Sequence, residues 1–202
     1  MNRIIWKSRI HCLRILKSSP CRTMPFHNVR HTLEVFRNVK LICASEGIPK
    51  EDVETLLIAA LFHDTGNSIR FKEHEALSAS LAISFLEVQG YTPFKIRKVE
   101  RYIKATKLPH QPKDYGEEVM ADADLFHLGT AKFWERSEML RTELSQFRGI
   151  NYTDVAWNLE NLSFLRDHTF FTTYGQCILD PVKRLNIKKL ERTIAKDDFF
   201  KN

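Results

Sequence analysis

Cysteine, glycine and proline are all scarce, at four, seven and seven in 202 residues. So little glycine and proline beside 43% hydrophobic residues excludes collagen-like, low-complexity and disordered classes. Cys12, Cys21, Cys43 and Cys177 form no CxxC pair and no closely spaced zinc-ligand set, so they read as reduced intracellular thiols that mostly fill the core. A chain this long can bury roughly 70% of its unfolded surface and needs no disulfide or metal merely to fold. No apolar run approaches the ~18 residues of a membrane span, so the expectation is a soluble protein with no transmembrane segment. There is no glycine-rich phosphate loop and no Gly-x-Ser-x-Gly elbow, which removes support for nucleotide kinases and serine hydrolases.

Acid is missing altogether from residues 1–24, which hold Arg3, Lys7, Arg9, Arg14, Lys17 and Arg22. The whole chain has 31 basic and 25 acidic residues, so everything after residue 24 is neutral, with 25 of each sign. A pI near 9.2 invites a nucleic-acid reading, but the body of the protein does not carry the charge, and no nucleic-acid partner is expected. Ile4, Ile5, Trp6, Ile10, Leu13 and Leu16 interleave with the cations as in a basic amphipathic helix. The same composition fits a mitochondrial presequence, a membrane-surface helix, or the first helix of the fold with Ile10, Leu13 and Leu16 turned inward. The expected location is cytoplasmic, with organellar targeting and membrane-surface contact left open by this segment.

Helical periodicity runs almost throughout. Val29, Leu33, Phe36, Val39 and Cys43 recur at steps of three and four between His27 and about Ser45, Gly47 closes that helix, and Pro49 with Glu51 and Asp52 opens the next. Leu56 to Phe62 is apolar on every face, which predicts a helix surrounded by other helices. Residues 74–89 carry Leu77, Leu81, Phe85 and Val88, and residues 93–106 carry Ile96, Val99 and Ile103. Further helices are expected near 116–128, 131–148, 153–172 and 181–197, and no alternation is long enough for a sheet. The expected architecture is all-α: a basic segment over 1–24 forming the first helix, a core over 25–130, and C-terminal helices over 131–202 packed on it. The 14 phenylalanines, including Phe170-Phe171 and Phe199-Phe200, read mainly as core, as do Phe126 and Phe133, whose alternative is a base-binding slot.

The apolar helix runs straight into His63-Asp64-Thr65-Gly66. Ionisable groups at the end of a buried helix are costly unless paired or metal-bound, and imidazole and carboxylate both ligate divalent cations. A lone His-Asp is also what a helix end with a capping acid looks like. His27 and His31 stand four apart on one helix face, and Asp122 and Asp124 sit in the otherwise apolar Met120 to Leu125.

Phe26-His27-Asn28-Val29-Arg30-His31, then Ala60-Leu61-Phe62-His63-Asp64, then Ala121-Asp122-Ala123-Asp124-Leu125 resembles the HD-domain superfamily of metal-dependent phosphohydrolases, over roughly residues 23–130. The first block is similar to the Tyr-His-Asn-x-x-His motif of cyclic-nucleotide phosphodiesterases, with Phe26 in place of Tyr. The resemblance implies an HD-like helical bundle with His31, His63, Asp64 and Asp124 as metal ligands, Asp64 doubling as a catalytic residue. It leaves Asp122 as an acceptor behind the ligands or a helix-surface residue, and makes His27 the general acid. Mn, Mg, Zn, Fe, Co and Ni all suit such ligands. The cation would draw the pKa of a bound water from ~15.7 towards ~7.

His74, in a His-Glu-x-x-Ser-Ala block similar to one common in the superfamily, faces the site or merely starts a helix. Lys107 is a candidate for a substrate phosphate, or a solvated lysine at a helix end; His168 lines the pocket or is structural. His110, between prolines, reads as a surface residue, and His11 and His127 as structural. Ala105 and Thr106 stand where binuclear relatives carry a further histidine, which argues against a full second metal site. The function implied is hydrolysis of a small phosphorylated substrate, a phosphomonoester or phosphodiester of a nucleotide, by metal-activated water. The alternatives are a catalytically silent metal-binding regulatory domain and a di-iron HD oxygenase. A homo-oligomer is compatible with all three.

Overall fold

The computed structural model describes residues 2–199, with side chains described over 2–196. Among the described residues the chain is all-α. It forms α1 (Arg3–Lys17), α2 (Val29–Ser45), α3 (Lys50–Phe62), α4 (His74–Val88), α5 (Pro93–Lys104), α6 (Tyr115–Asp124), α7 (Phe133–Arg148), α8 (Asp154–Asp167) and α9 (Asp180–Phe199), and no strand. These group into two compact units, Met1–Asp124 and Leu125–Asn202.

In the first unit α3 is the centre. It packs against α1, α2, α4, α5 and α6, and every residue from Thr55 to Phe62 is buried. It begins behind Pro49, with Glu51 and Asp52 in the first turn, where negative charge favours the helix dipole. The preceding α2 starts at Asn28, whose side chain accepts from the Arg30 and His31 amides at 2.8 and 3.2 Å. It stops where Gly47 turns to φ +65° and the Ile48 amide reaches back to Cys43 O at 3.0 Å.

Two expected stripes are displaced. In α4 the buried residues are Ser78, Ala79, Ala82 and Leu86, whereas Leu77, Leu81 and Phe85 are half-buried and Val88 is 83% exposed. The cause is close backbone approach: a Cβ on Gly66 would lie 2.1 Å from His74 O and 2.9 Å from Ser78 N, so only small side chains fit the inner face of α4 beside Gly66, and Leu86 enters further along. In α1 the inward residues are Ile5, Ser8, Cys12 and Leu16, while Ile10 is 40% exposed and Leu13 half-buried. Leu16 faces inward as expected, and Ile5, Ser8 and Cys12 take the rest of the inner strip. His11 stacks on Phe85 at 4.3 Å, fastening α1 to α4. The stripe Ile96, Val99 and Ile103 of α5 is buried, joined by Tyr102. Cys12, Cys21 and Cys43 are buried and Cys177 is exposed.

The second unit gathers Leu125, Leu128, Phe133, Leu162, Leu165, Phe170, Leu179 and Leu190 into its core. Phe126 is half-buried and stacks on Tyr174 at 5.9 Å, so Phe126 and Phe133 pack rather than form a slot. The helix expected over 116–128 ends at Asp124 and gives way to a 3-10 turn at Phe126–Gly129; that expected over 153–172 ends at Asp167, before His168. The side chains of Phe199 and Phe200 lie outside the described residues.

Gly66→Ala drives a methyl group into backbone that cannot move aside, and should cost about 3 kcal/mol, the upper range for overpacking a core. Gly47→Ala meets nothing within 4 Å and carries only the left-handed strain, about 1 kcal/mol. Urea unfolding of the two variants checks this, and equal losses would contradict the close approach.

Candidate metal centre

Three chain segments, each ending or beginning a helix, deliver four side chains to one buried point. His63 caps the C-terminus of α3, and its Nδ1 donates to Ala60 O at 2.9 Å. That hydrogen bond leaves Nε2 of the neutral ring as a lone pair facing inward. His31 comes from the first turn of α2, fixed by the Asn28 cap. Asp124 is the last residue of α6, and Asn38 of α2 donates to Ala123 O at 3.0 Å, tying the two helices together beside it.

The distances between these groups are those of a coordination shell. His31 Nε2 stands 3.1 Å from Asp124 Oδ1 and 3.4 Å from Asp64 Oδ2. His63 Nε2 stands 3.3 Å from Asp124 Oδ1, 3.2 Å from Asp64 Oδ2 and 3.4 Å from His31 Nε2. Ligands on bonds of ~2.1 Å in tetrahedral or octahedral geometry are ~3.0–3.4 Å apart. His31, His63 and Asp124 form a group able to hold a metal ion. Asp64 adds the decisive atom: its Oδ1 faces Asn67 Nδ2 at 3.2 Å and His74 Nε2 at 3.1 Å, but its buried Oδ2 has no hydrogen-bond partner. An orphaned carboxylate oxygen aimed at two imidazole nitrogens fits a cation.

Electrostatics follow from this crowding. Burial pushes the Asp64 carboxyl up, but the charges of His63 and His27 beside it and the contact from His74 hold it well below the usual carboxylate range. Asp124 is likewise lowered: hydrogen bonds from His31 and His63 outweigh its burial. Burial lowers both histidines, and at His31 it prevails. At His63 the Asp64 and Asp124 charges overcome it and raise the pKa well above the ordinary value.

The short stretch after the ligands is built to hold them. Thr65 Oγ1 donates to Phe62 O at 2.7 Å, and the Gly66 amide donates to Ser78 Oγ at 2.8 Å. His74, at the start of α4, has an acceptor at each nitrogen: Phe71 O at 2.9 Å from Nδ1 and Asp64 Oδ1 at 3.1 Å from Nε2. Burial lowers its pKa, but the Asp64 and Glu75 carboxylates and Phe71 O raise it overall, favouring the doubly protonated ring. His27 lies before the Asn28 cap and so outside α2, not on one helix face with His31 as expected; it is half-buried, its ring 5.9 Å from that of His31 and 6.1 Å from that of His74.

Other candidates lie apart from this cluster. Lys107 is exposed beyond the end of α5, in a surface recess with Arg101, Lys104 and Lys113 that no ligand side chain lines. His168 belongs to the second unit, where it follows α8, its ring edge-on to Phe170 at 4.5 Å and its carbonyl accepting from Lys183 Nζ at 2.5 Å. Asp122 is fully buried, which removes the helix-surface alternative. His110 is a correction: it is half-buried, its Nε2 donates to Thr106 O at 3.3 Å, and it lies within electrostatic reach of Asp124. Asn38, Asn67 and Ser78 complete the support, and only Ser78 stood in a recognisable motif.

A comparison with protein families matches the HD domain over residues 28–129, half of the chain. The chain belongs to the HD domain family. No curated protein and no solved structure matches it. HD domains bind divalent metals and are often hydrolases, and the His-His-Asp cluster of this HD domain has the donors for such an ion. The match starts at Asn28, so His31, His63, Asp64, His74 and Asp124 fall inside it and His27 just before it.

Asp64→Ala should remove the metal measured in protein purified without chelator, while circular dichroism stays helical. Asn67→Ala, which frees the Asp64 carboxylate to turn, should weaken metal binding about 10–100-fold. Since a proton on His63 competes with the metal, affinity should fall as pH is lowered, about tenfold per unit for each proton displaced. Titration calorimetry in buffers of different pH measures this, and a flat profile would contradict the ligand assignment.

Proposed function

We propose that this HD domain is a metal-dependent phosphohydrolase that cleaves a small phosphomonoester or phosphodiester, with a nucleotide as the substrate class. The observation that carries the reading is Asp64: one oxygen held by Asn67 and His74, the other buried and turned to His31 and His63. In this reading His31, His63, Asp64 and Asp124 hold the ion.

When bound, a divalent cation there supplies the positive charge that acidifies water and offsets charge developing on phosphoryl oxygens. The chain's own groups do the rest. His63 stays oriented through Ala60 O, and Asp64 through Asn67. His74, protonated between Phe71 O and Asp64 Oδ1, presents a cation beside the ligands where a phosphate oxygen can be held. His27 gives a proton to the leaving oxygen as general acid, a role suited to an imidazole near neutral pH. Phe71 borders this edge, its ring 5.5 Å from His27 and 5.6 Å from His74, and offers an apolar face to a base. Lys107 and His168 have no assigned part in this proposal.

A manganese-supplemented screen of nucleoside mono-, di- and triphosphates, cyclic nucleotides and dinucleotides should find turnover. A metal-loaded protein inactive on all of them would favour the silent regulatory reading. Once a substrate is found, His27→Ala should lower kcat about 100-fold or more and leave metal content unchanged. Loss of metal in that variant would show His27 to be a ligand instead.

A further inference from the structure

The cation-rich first helix takes no part in the metal chemistry, and its outward face is unusual. Trp6 is 53% exposed and Ile10 40% exposed, with Leu13 half-buried one turn further on. Steps of four and three put these three on one face of α1. Arg3, Arg14 and Lys17 are exposed alongside them, and among the described residues none of the three is ion-paired. The opposite face, Ile5, Ser8, Cys12 and Leu16, is buried in the first unit, so α1 is held at the surface with a fixed outward side.

We propose that this face docks on an anionic lipid bilayer. An indole and two aliphatic side chains in a row suit the headgroup and upper acyl region, where tryptophan is favoured and amphipathic helices lie flat. The flanking cations suit anionic headgroups, and residues 1–24 carry no acid to oppose them. A second copy of the chain fits poorly, because pairing two such faces would set unpaired cations against cations. Nucleic acid would answer the charge but leaves Ile10 and Leu13 without a matching surface. No helix among the described residues is long and apolar enough to cross a membrane, so the attachment is peripheral.

The test is co-sedimentation of the full chain with vesicles of phosphatidylcholine alone and with roughly one-third phosphatidylserine, at low and high salt. Binding is expected only to the anionic vesicles and is expected to weaken with salt. Trp6→Ala with Ile10→Ala should lower partitioning at least about tenfold, and Arg3→Gln with Arg14→Gln and Lys17→Gln should abolish the preference for phosphatidylserine. All five side chains are exposed, so circular dichroism and metal content should match the parent chain. The proposal is overturned by absence of binding to anionic vesicles at low salt, or by partitioning indifferent to Trp6 and Ile10. It is also overturned by RNA binding that needs the cations while vesicles are ignored, or by a dimer that Trp6→Ala dissolves.

Discussion

Asp64 Oδ2, Asp124 Oδ1 and the Nε2 atoms of His31 and His63 meet in a buried space where only a proton on an imidazole can answer the carboxylate oxygens. His63 has already committed its Nδ1 hydrogen to Ala60 O, and the Asp64 and Asp124 oxygens can only accept. With both rings unprotonated at Nε2, lone pairs and negative charges at 3.1–3.4 Å would repel strongly where water is excluded. A proton on one imidazole relieves two or three of these contacts, which is why His63 is driven towards its charged form. A multivalent cation at their centre relieves all of them at once. The chain's own protons satisfy the arrangement only in part, leaving Asp64 Oδ2 without a hydrogen-bond partner, and an ion would satisfy it in full.

The rest of the first unit can be understood as what holds that arrangement in place. Because α3 is enclosed on all sides, its C-terminal residues cannot relax towards solvent. Gly66 lets α4 come close enough for Ser78 to accept its amide and for His74 to reach Asp64. Asn38 does the same for α6, linking residues 85 apart in the chain so that Asp124 faces His31. Small residues on the inner face of α4 permit the approach of Gly66, at the expense of the larger apolar side chains left half-exposed on the outside.

That trade explains what could be read from the chain before its structure. Helix positions and the enclosed α3 were legible, since periodicity and an unbroken apolar run are local signals. His63-Asp64 and Asp124 were legible because ionisable residues inside apolar helices stand out chemically. The inner faces of α1 and α4 were not. Hydrophobicity ranks Val88 above Ser78 and Ile10 above Ser8, but at Ser78 the distance to the Gly66 backbone selects by size, and that distance is set by the packing of neighbouring elements. His110 misled for a similar reason: proline neighbours describe a loop, and only the hydrogen bond back to Thr106 O shows that the loop folds inward. Asn38 and Asn67 are two asparagines whose roles exist only in three dimensions.

The charge of the chain divides along the same line between local and global. Beyond residue 24 the protein is neutral, so no long-range field draws an anion towards the ligands. At the cluster itself the two carboxylates face His74 and a His63 driven towards its charged form, so little net charge is left to attract a phosphate. A divalent cation that displaces the His63 proton leaves one excess positive charge, two carboxylates standing against the ion and His74. In the proposed reaction, phosphate binding and metal binding are then coupled electrostatically: the ion that relieves the crowding of Asp64 would add to the charge of His74 the attraction a phosphorylated substrate needs there. The basic α1, with its own exposed tryptophan, is free to serve a different surface without competing for that substrate.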